Sequence, residues 1–359
     1  MFRKSLLVMT ATLLPLVSSM ASAVDEHDHL ALVKSDFEPF VDLNELTYQR
    51  KDLQLDKVFR DLGLGHLALA YVTSDPWEKG DQRCSPMWGG QLPYNVADFT
   101  SILNNEQLGQ AGVIRVSFGG GEGSALADVC GNAEKLSEAY KKFADLGVSK
   151  FDFSFDQTIF VKKDVLETHI SSIELLRDKG VELDIQYTFL LEEKGVSDAA
   201  LGFIGMLIDQ KVEVSRYNLL ASKLKIKRET GTVGRNIQLA VEETVRKIHE
   251  LYKQKKKDKS ERDVYEQTVI APMIGLTDAE GVVFKLADID ELIGFARANH
   301  VNSFSMWSLN RDRRCKGDTK EPEPYCSGVD QEDYAFSTRF NSYRHPQDGH
   351  GHQHDGSDL

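Results

Sequence analysis

Apolar runs alternate with amphipathic stretches along the chain from residue 37 to residue 340. Near-continuous apolar runs such as 66–73 (HLALAYVT) predict buried strands, and stretches such as 163–179, with apolar residues at helical spacing, predict amphipathic helices. The predicted strands are 37–43, 66–73, 113–118, 149–156, 181–190, 212–219, 267–274 and 303–308. The predicted helices are 52–62, 96–110, 132–146, 163–179, 198–210, 234–257, 286–299 and 331–340.

Eight strands that alternate with eight helices predict a parallel sheet whose strands are buried on both faces. Eight such units close into a (β/α)8 TIM barrel, so we expect an α/β fold with a single domain over 37–341. An open, doubly wound sheet is the alternative. The chain contains no GxGxxG, P-loop or GxSxG motif to support that alternative, because the glycine run at 119–123 lacks the required spacing.

The N-terminus is typical of a secretory signal peptide. Arg3 and Lys4 precede an apolar stretch at 6–18, and the small residues 21–23 predict cleavage after Ala23. We expect a flexible leader at 24–36 and export to the periplasm or the cell exterior, and no other apolar stretch is long enough to span a membrane. An uncleaved anchor is the alternative.

Four cysteines allow three disulfide pairings in an oxidising compartment, and none forms a CxxC motif. Cys315 and Cys326 flank a polar loop that contains proline, so we pair these two. Cys84 then pairs with Cys130.

The charge is acidic, with 56 Asp and Glu against 43 Lys and Arg and a net charge of −13. This balance disfavours nucleic acid and anionic membranes as partners. The tail at 342–359 is rich in histidine. His350, His352 and His354 could chelate a metal, but we favour a disordered tail and predict no metal site.

Barrel enzymes place their chemistry at the carboxyl ends of the strands. In the fourth predicted strand, Asp152, Ser154 and Asp156 share one face by the two-residue period, and we expect this face to point into the barrel. A purely structural polar network is the alternative interpretation. Other candidate binding residues at strand ends are Gln186, Tyr187 and Asn218.

Several segments resemble bacterial family 18 glycoside hydrolases, the chitinase family. They are SFGG at 117–120, APMIG at 271–275 and SMWSLNRD at 305–312, supported by WGG at 88–90. The resemblance covers 37–340. It implies a barrel that binds chitin or another N-acetylglucosamine-containing glycan, with the substrate's acetamido group assisting hydrolysis. We also expect a monomer without a cofactor. In that family Trp307 would be the floor on which the sugar stacks, and Trp88 and Trp77 could extend the groove or pack within their loop.

The family's catalytic motif, DxxDxDxE, is altered at 149–156. Asp152 keeps its type, whereas Ser154 replaces the aspartate that orients the acetamido group and Asp156 replaces the acid glutamate. By the same resemblance, Lys223 and Leu224 stand where an aspartate and a tyrosine hold that group. We therefore predict a glycan-binding barrel with weak or absent hydrolysis. The alternatives are an active retaining endo-chitinase with Asp156 as its acid, and a barrel re-used as a protein-interaction module or adhesin.

Overall fold

A sheet of parallel strands forms the centre of the structure, a computed structural model that describes residues 36–120, 123–226 and 231–344. Each strand of the central sheet pairs in parallel with the next along the chain. In this described part of the chain the parallel strands are β1 (Phe40–Asp42), β2 (Leu67–Ser74), β3 (Ile114–Gly119), β4 (Lys150–Ser154), β5 (Asp184–Leu190), β6 (Arg216–Ala221), β7 (Thr268–Pro272) and β8 (Ser303–Phe304).

The sheet closes between its first and last strands. The amide of Glu38 donates to the carbonyl of Phe304 at 3.0 Å, and the amide of Phe40 donates to the carbonyl of Met306 at 3.1 Å. The eight parallel strands follow the order of the chain, without the reversal of order that defines a doubly wound sheet, and a hairpin of two short strands at 86–93 pairs antiparallel with β2. The (β/α)8 prediction is confirmed.

Helices follow the strands around this sheet. They are α1 (Leu43–Tyr48), α2 (Leu55–Asp61), α3 (Ala97–Leu103), α4 (Leu126–Val129), α5 (Ala133–Ala144), α6 (Lys163–Asp178), α7 (Asp198–Asp209), α8 (Val233–Gln254), α9 (Glu261–Tyr265), α10 (Leu286–Asn299) and α11 (Ala335–Phe340). The sequence did not predict α1, α4 or α9. Short strands outside the barrel are Pro86–Trp88, Leu92–Pro93, Gly275–Leu276 and Val283–Phe284, and 3-10 turns are Gly80–Arg83 and Leu309–Arg311.

A network of buried charges fills the amino-terminal end of the barrel. Arg115 is fully buried and pairs with Glu38 at 2.6 Å and with Asp184 at 3.3 Å. Burial alone would raise the pKa of Glu38, but Arg115 and Arg216 together lower it to about 2. The buried ions Glu38 and Arg115 are paired, as a stable interior requires, and they lie at the end of the barrel associated with stability rather than chemistry.

Both predicted disulfides are present, Cys84–Cys130 and Cys315–Cys326. Within the described residues no helix is long and apolar enough to cross a membrane, and no group of three or more His, Cys, Asp or Glu side chains could hold a metal ion. Tyr343 is buried and donates to the carbonyl of Val301 at 2.6 Å, so packing continues two residues past the predicted domain end at 341. The predicted signal peptide, the leader up to residue 35 and the tail histidines lie outside the described residues.

Candidate functional site

A cleft of about 770 Å³ opens at the carboxyl ends of the barrel strands. This volume lies within the range of pockets that bury small ligands. Its lining side chains come from the barrel strands, from the loops that follow them and from α1. They include Asn44, Tyr48, Tyr71, Ser154, Asp156, Thr188, Lys223, Trp307 and Arg311.

Asp152 lies on β4 inside the barrel and has no exposed surface. Its carboxylate accepts hydrogen bonds from the hydroxyl of Ser117, from Thr188 at 2.7 Å and from the amide of Gln186 at 3.2 Å. Asn218 in turn donates to the Thr188 hydroxyl at 2.9 Å. Burial raises the pKa of Asp152 to about 6 although these hydrogen bonds favour its charged form. The buried carboxylate is therefore fully supported by neighbours on adjacent strands.

Two aromatic rings form the floor of the cleft. The indole of Trp307 stacks on the ring of Tyr71, with ring centroids 5.1 Å apart and ring planes at 13° to each other. It also packs against the ring of Phe40, with ring centroids 5.8 Å apart. Trp307 keeps part of its surface exposed to the cleft. An indole supported from behind and open on its other side can receive the apolar face of a flat ligand such as a pyranose ring.

Asp156 lies two residues beyond the end of β4 and is exposed at the rim of the cleft. Its carboxylate accepts the backbone amide of Thr158 at 2.9 Å. That hydrogen bond, with a smaller contribution from the ammonium group of Lys223, lowers the pKa of Asp156 below its usual value. Lys223 is exposed and lines the same cleft. Asp156 is therefore an ionised carboxylate near neutral pH.

The sequence is similar to two known chitinases. It is 24% identical over 316 residues to a probable bifunctional chitinase/lysozyme of Escherichia coli, covering 85% of this chain and 34% of the relative. It is 23% identical over 284 residues to endochitinase 11 of Metarhizium anisopliae, covering 77% of this chain and 52% of the relative. The chain thus spans about a third and about a half of the lengths of these relatives. No protein-family model matches it.

The fold is shared with solved chitinase structures. Active domain 2 of a chitinase from Pyrococcus furiosus superimposes with a TM-score of 0.67 at 22% identity, covering 85% of this chain and 93% of that one. A fungal endo-β-N-acetylglucosaminidase from glycosyl hydrolase family 18 superimposes with a TM-score of 0.50 at 10% identity, covering 85% and 96%. The chain is thus similar in sequence to chitinases and shares its fold with solved structures that include family 18 glycoside hydrolases.

In this chitinase-like barrel, neither Trp88 nor Trp77 lines the cleft. Trp88 has no exposed surface, packs edge-on against Phe99 and Phe143, and donates its indole N–H to the carbonyl of Tyr94 at 3.0 Å. It is a core residue, so its loop-packing interpretation is the right one. Trp77 is 81% exposed but does not line the cleft either.

Tyr187 was predicted to be a binding residue, but its side chain points away from the barrel interior. Its hydroxyl contacts His169 of α6 at 3.0 Å. The two-residue period explains the error: Gln186 and Thr188 face inward toward Asp152, so the residue between them faces the helices. Gln186 and Asn218 do lie inside the barrel, but both are buried and support Asp152 and Thr188 rather than line the cleft.

Cleft residues that the sequence did not single out include Tyr71 and Tyr48. The glycines of SFGG are the sequence feature that points to the position of Tyr71. Gly120 has a φ of +89°, and any Cβ there would lie 2.5 Å from the Tyr71 ring. Gly119 has a φ of +110°, and a Cβ there would lie even closer to the carbonyl oxygen of Ser154, at 2.2 Å. Glycine is required where backbone and ring meet so tightly. Tyr48 gave no signal, because the sequence did not predict α1.

Proposed function

We propose that this family 18 relative binds N-acetylglucosamine-containing glycans, chitin or chito-oligosaccharides, with little or no hydrolysis. The observation that carries this proposal is the state of Asp156, the residue in the position of the family's catalytic acid. The chitinase names of its relatives support the ligand class, and the cleft with Trp307 on its floor supports sugar binding.

A general acid must hold a proton at working pH, so enzymes raise the pKa of such a carboxyl group. Asp156 has the opposite shift, because the amide of Thr158 and the charge of Lys223 both stabilise its ionised form. An aspartate is also one methylene shorter than the family's glutamate, and a misplacement of about 1 Å can cost on the order of 100-fold in rate. Both effects argue against efficient proton donation to a glycosidic oxygen.

The acetamido group of a bound substrate also lacks its expected partners. Ser154 offers a hydroxyl where the family has an orienting aspartate, and Lys223 is a cation in place of another carboxylate. Leu224 is buried rather than open to the cleft. Losing a well-placed group that stabilises developing charge costs roughly 3–4 kcal/mol of transition-state stabilisation. The two alterations act on one step, so their effects need not add.

The test is binding by calorimetry alongside hydrolysis of a chromogenic chito-oligosaccharide, with wild type and Asp156→Asn. The proposal expects binding by both proteins and no loss of rate in the variant, because the wild-type rate is already near background. Ordinary turnover that Asp156→Asn abolishes would instead establish an active retaining endo-chitinase with Asp156 as its acid. Failure to bind or cleave any chito-oligosaccharide would favour the interaction-module or adhesin hypothesis.

We also propose that the protein is exported and works as a monomer. The two disulfides support an oxidising compartment. Sequencing the N-terminus of the mature protein tests the predicted cleavage after Ala23, and size-exclusion chromatography with light scattering tests the monomer.

A further inference from the structure

One wall of the cleft is formed by a loop that a disulfide closes. Residues 316–325, which we call the disulfide loop, lie between Cys315 and Cys326. Three of them, 322–324, line the cleft. The loop contains no helix, and one isolated bridge, between Glu323 and Cys326, is the only strand pairing that its described residues make. Because each residue loses conformational entropy when it is ordered, a wall of irregular backbone needs a restraint from outside the loop.

The base of the disulfide loop is held against the barrel. The amide of Ser327 donates to the carbonyl of Arg313 at 2.9 Å, and the amide of Leu276 donates to the carbonyl of Ser327 at 2.8 Å. Two residues before Leu276, the amide of Ile274 donates to the carbonyl of Trp307 at 3.0 Å. The base of the loop is therefore tied to the segment that lies beside the floor of the cleft.

The inner face of the loop meets a buried cation. Arg311 lines the cleft, has almost no exposed surface and donates to the carbonyls of Ile274 and Leu276. Burial lowers the pKa of Arg311 to about 10, and the charges of Asp278 and Glu323 counter this shift. Glu323 thus lies near enough to Arg311 for their charges to interact. A displaced loop would change both the shape and the charge of the cleft.

The disulfide supplies the further restraint on the loop. It lies one step inside the hydrogen-bonded pair Arg313 and Ser327 and joins positions 11 residues apart. In the chain-entropy account, a cross-link that closes a loop of about this length changes an equilibrium by up to about 100-fold. Cys326 is buried, but Cys315 is only partly buried and both of its neighbours are accessible to solvent, so a thiolate can reach its sulfur.

We propose that the Cys315–Cys326 disulfide is a redox switch for the cleft, which binds its ligand tightly only when the disulfide loop is closed. This inference rests on the proposed function. In the reducing direction, a dithiol attacks the sulfur of Cys315, the S–S bond breaks, the two cysteines become thiols and the dithiol leaves as a cyclic disulfide. In the other direction, a disulfide oxidant of the export compartment accepts the two electrons and two protons, so tight binding begins only after export.

The experiment uses two double variants that each keep one disulfide. Cys84→Ser/Cys130→Ser keeps only the Cys315–Cys326 disulfide, and its matched control, Cys315→Ser/Cys326→Ser, keeps only the other. Calorimetry with an N-acetylglucosamine hexamer measures the affinity of wild type and of both variants when oxidised, after reduction with dithiothreitol and after reoxidation. In Cys84→Ser/Cys130→Ser, reduction should weaken binding by about ten- to 100-fold and reoxidation should restore it. The control should bind weakly throughout and should not respond to the reductant.

Trypsin gives a second measurement that needs no ligand. Lys316 and Lys320 are exposed residues of the disulfide loop. Cleavage after these lysines should be faster in reduced than in oxidised Cys84→Ser/Cys130→Ser, because proteases cut open loops preferentially. Equal rates would show that the loop does not open, and would overturn the switch.

An affinity of Cys84→Ser/Cys130→Ser that reduction leaves unchanged overturns the switch and leaves the proposed function standing. A loss of equal size in the control also overturns it, because the control lacks the Cys315–Cys326 disulfide. If Cys84→Ser/Cys130→Ser does not fold, equal affinities of oxidised wild type and the control overturn the switch. If oxidised wild type binds no oligomer, the proposed function fails and the switch fails with it.

Discussion

Replacing Ser154 by aspartate tests the electrostatics of the barrel interior. Ser154 is 7% exposed and lies two residues from the buried Asp152 on the same face of β4. A rise of about 3.3 Å per residue places the two side chains about 6.6 Å apart. Two negative charges at that distance repel by about 2.5 kcal/mol at an effective dielectric constant of about 20. We therefore expect Ser154→Asp to be less stable than Ser154→Asn by about 2 kcal/mol at pH 8.

The pH dependence of this loss has a definite sign. The pKa of Asp152 is already raised to about 6, above the unfolded value of about 3.9, and a second carboxylate raises it further. The folded variant then binds more protons than the unfolded chain above pH 4, so its stability falls as the pH rises. Urea unfolding at pH 4 and pH 8 measures the difference from Ser154→Asn, which should shrink at pH 4. Equal stability of the two variants at pH 8 would refute a low-dielectric site around Asp152.

Three further predictions concern other parts of the barrel. His169 is buried between two tyrosine hydroxyls. Burial lowers its pKa to about 3, well below the unfolded value of about 6.5. The free energy of unfolding therefore falls by about 1.4 kcal/mol for each pH unit below about pH 6.5. Urea unfolding between pH 5 and 7 should show this slope in the difference between wild type and His169→Gln, because the opposing contribution of Asp152, whose pKa is raised to about 6, is common to both proteins. Trp307→Ala should weaken glycan binding in calorimetry by roughly 1–3 kcal/mol, by analogy with base stacking, whereas Trp88→Ala should lower the unfolding free energy by about 3–5 kcal/mol. Asp156→Glu alone should recover little hydrolysis of a chromogenic substrate, and adding Ser154→Asp should recover more.

Each of these predictions has a contrary outcome. An unchanged pH slope in His169→Gln would assign the slope to another group. A folded, stable Trp88→Ala protein with weakened glycan binding would show that Trp88 is a binding residue and not a core residue. Full hydrolysis by Asp156→Glu alone would show that the altered residues around the acetamido group matter little.

Strand patterns predicted the barrel because buried parallel strands carry long apolar runs. The ends of the strands differ from the prediction: β8 is only Ser303–Phe304, whereas the predicted strand continues to residue 308. Helix α1 was missed because its residues, Leu43–Tyr48, follow the first strand directly and their apolar positions do not form a long helical repeat. The prediction of strand 149–156 included Asp156, but the chain leaves the sheet after Ser154.

The sequence predicted those site residues whose position follows from their place along a strand. It did not predict those whose position depends on tertiary packing. Asp152 and Ser154 follow from the period of β4, and Trp307 follows from the family resemblance. Trp88 was a candidate from its loop and the family resemblance, and Tyr187 from its position at a strand end, but burial and side-chain direction depend on neighbours that lie far away in sequence. The lowered pKa of Asp156 comes mainly from the nearby amide of Thr158, and only the smaller contribution of Lys223 depends on a residue far away in sequence.

The most direct test of weak hydrolysis with retained binding is a paired measurement on the wild-type protein. One preparation is titrated with a chito-oligosaccharide of six units in a calorimeter, and its hydrolysis of the same oligosaccharide is followed by chromatography. Saturable binding with hydrolysis orders of magnitude below that of an active chitinase assayed in parallel is the expected result. Saturable binding together with hydrolysis at the rate of that chitinase would contradict it.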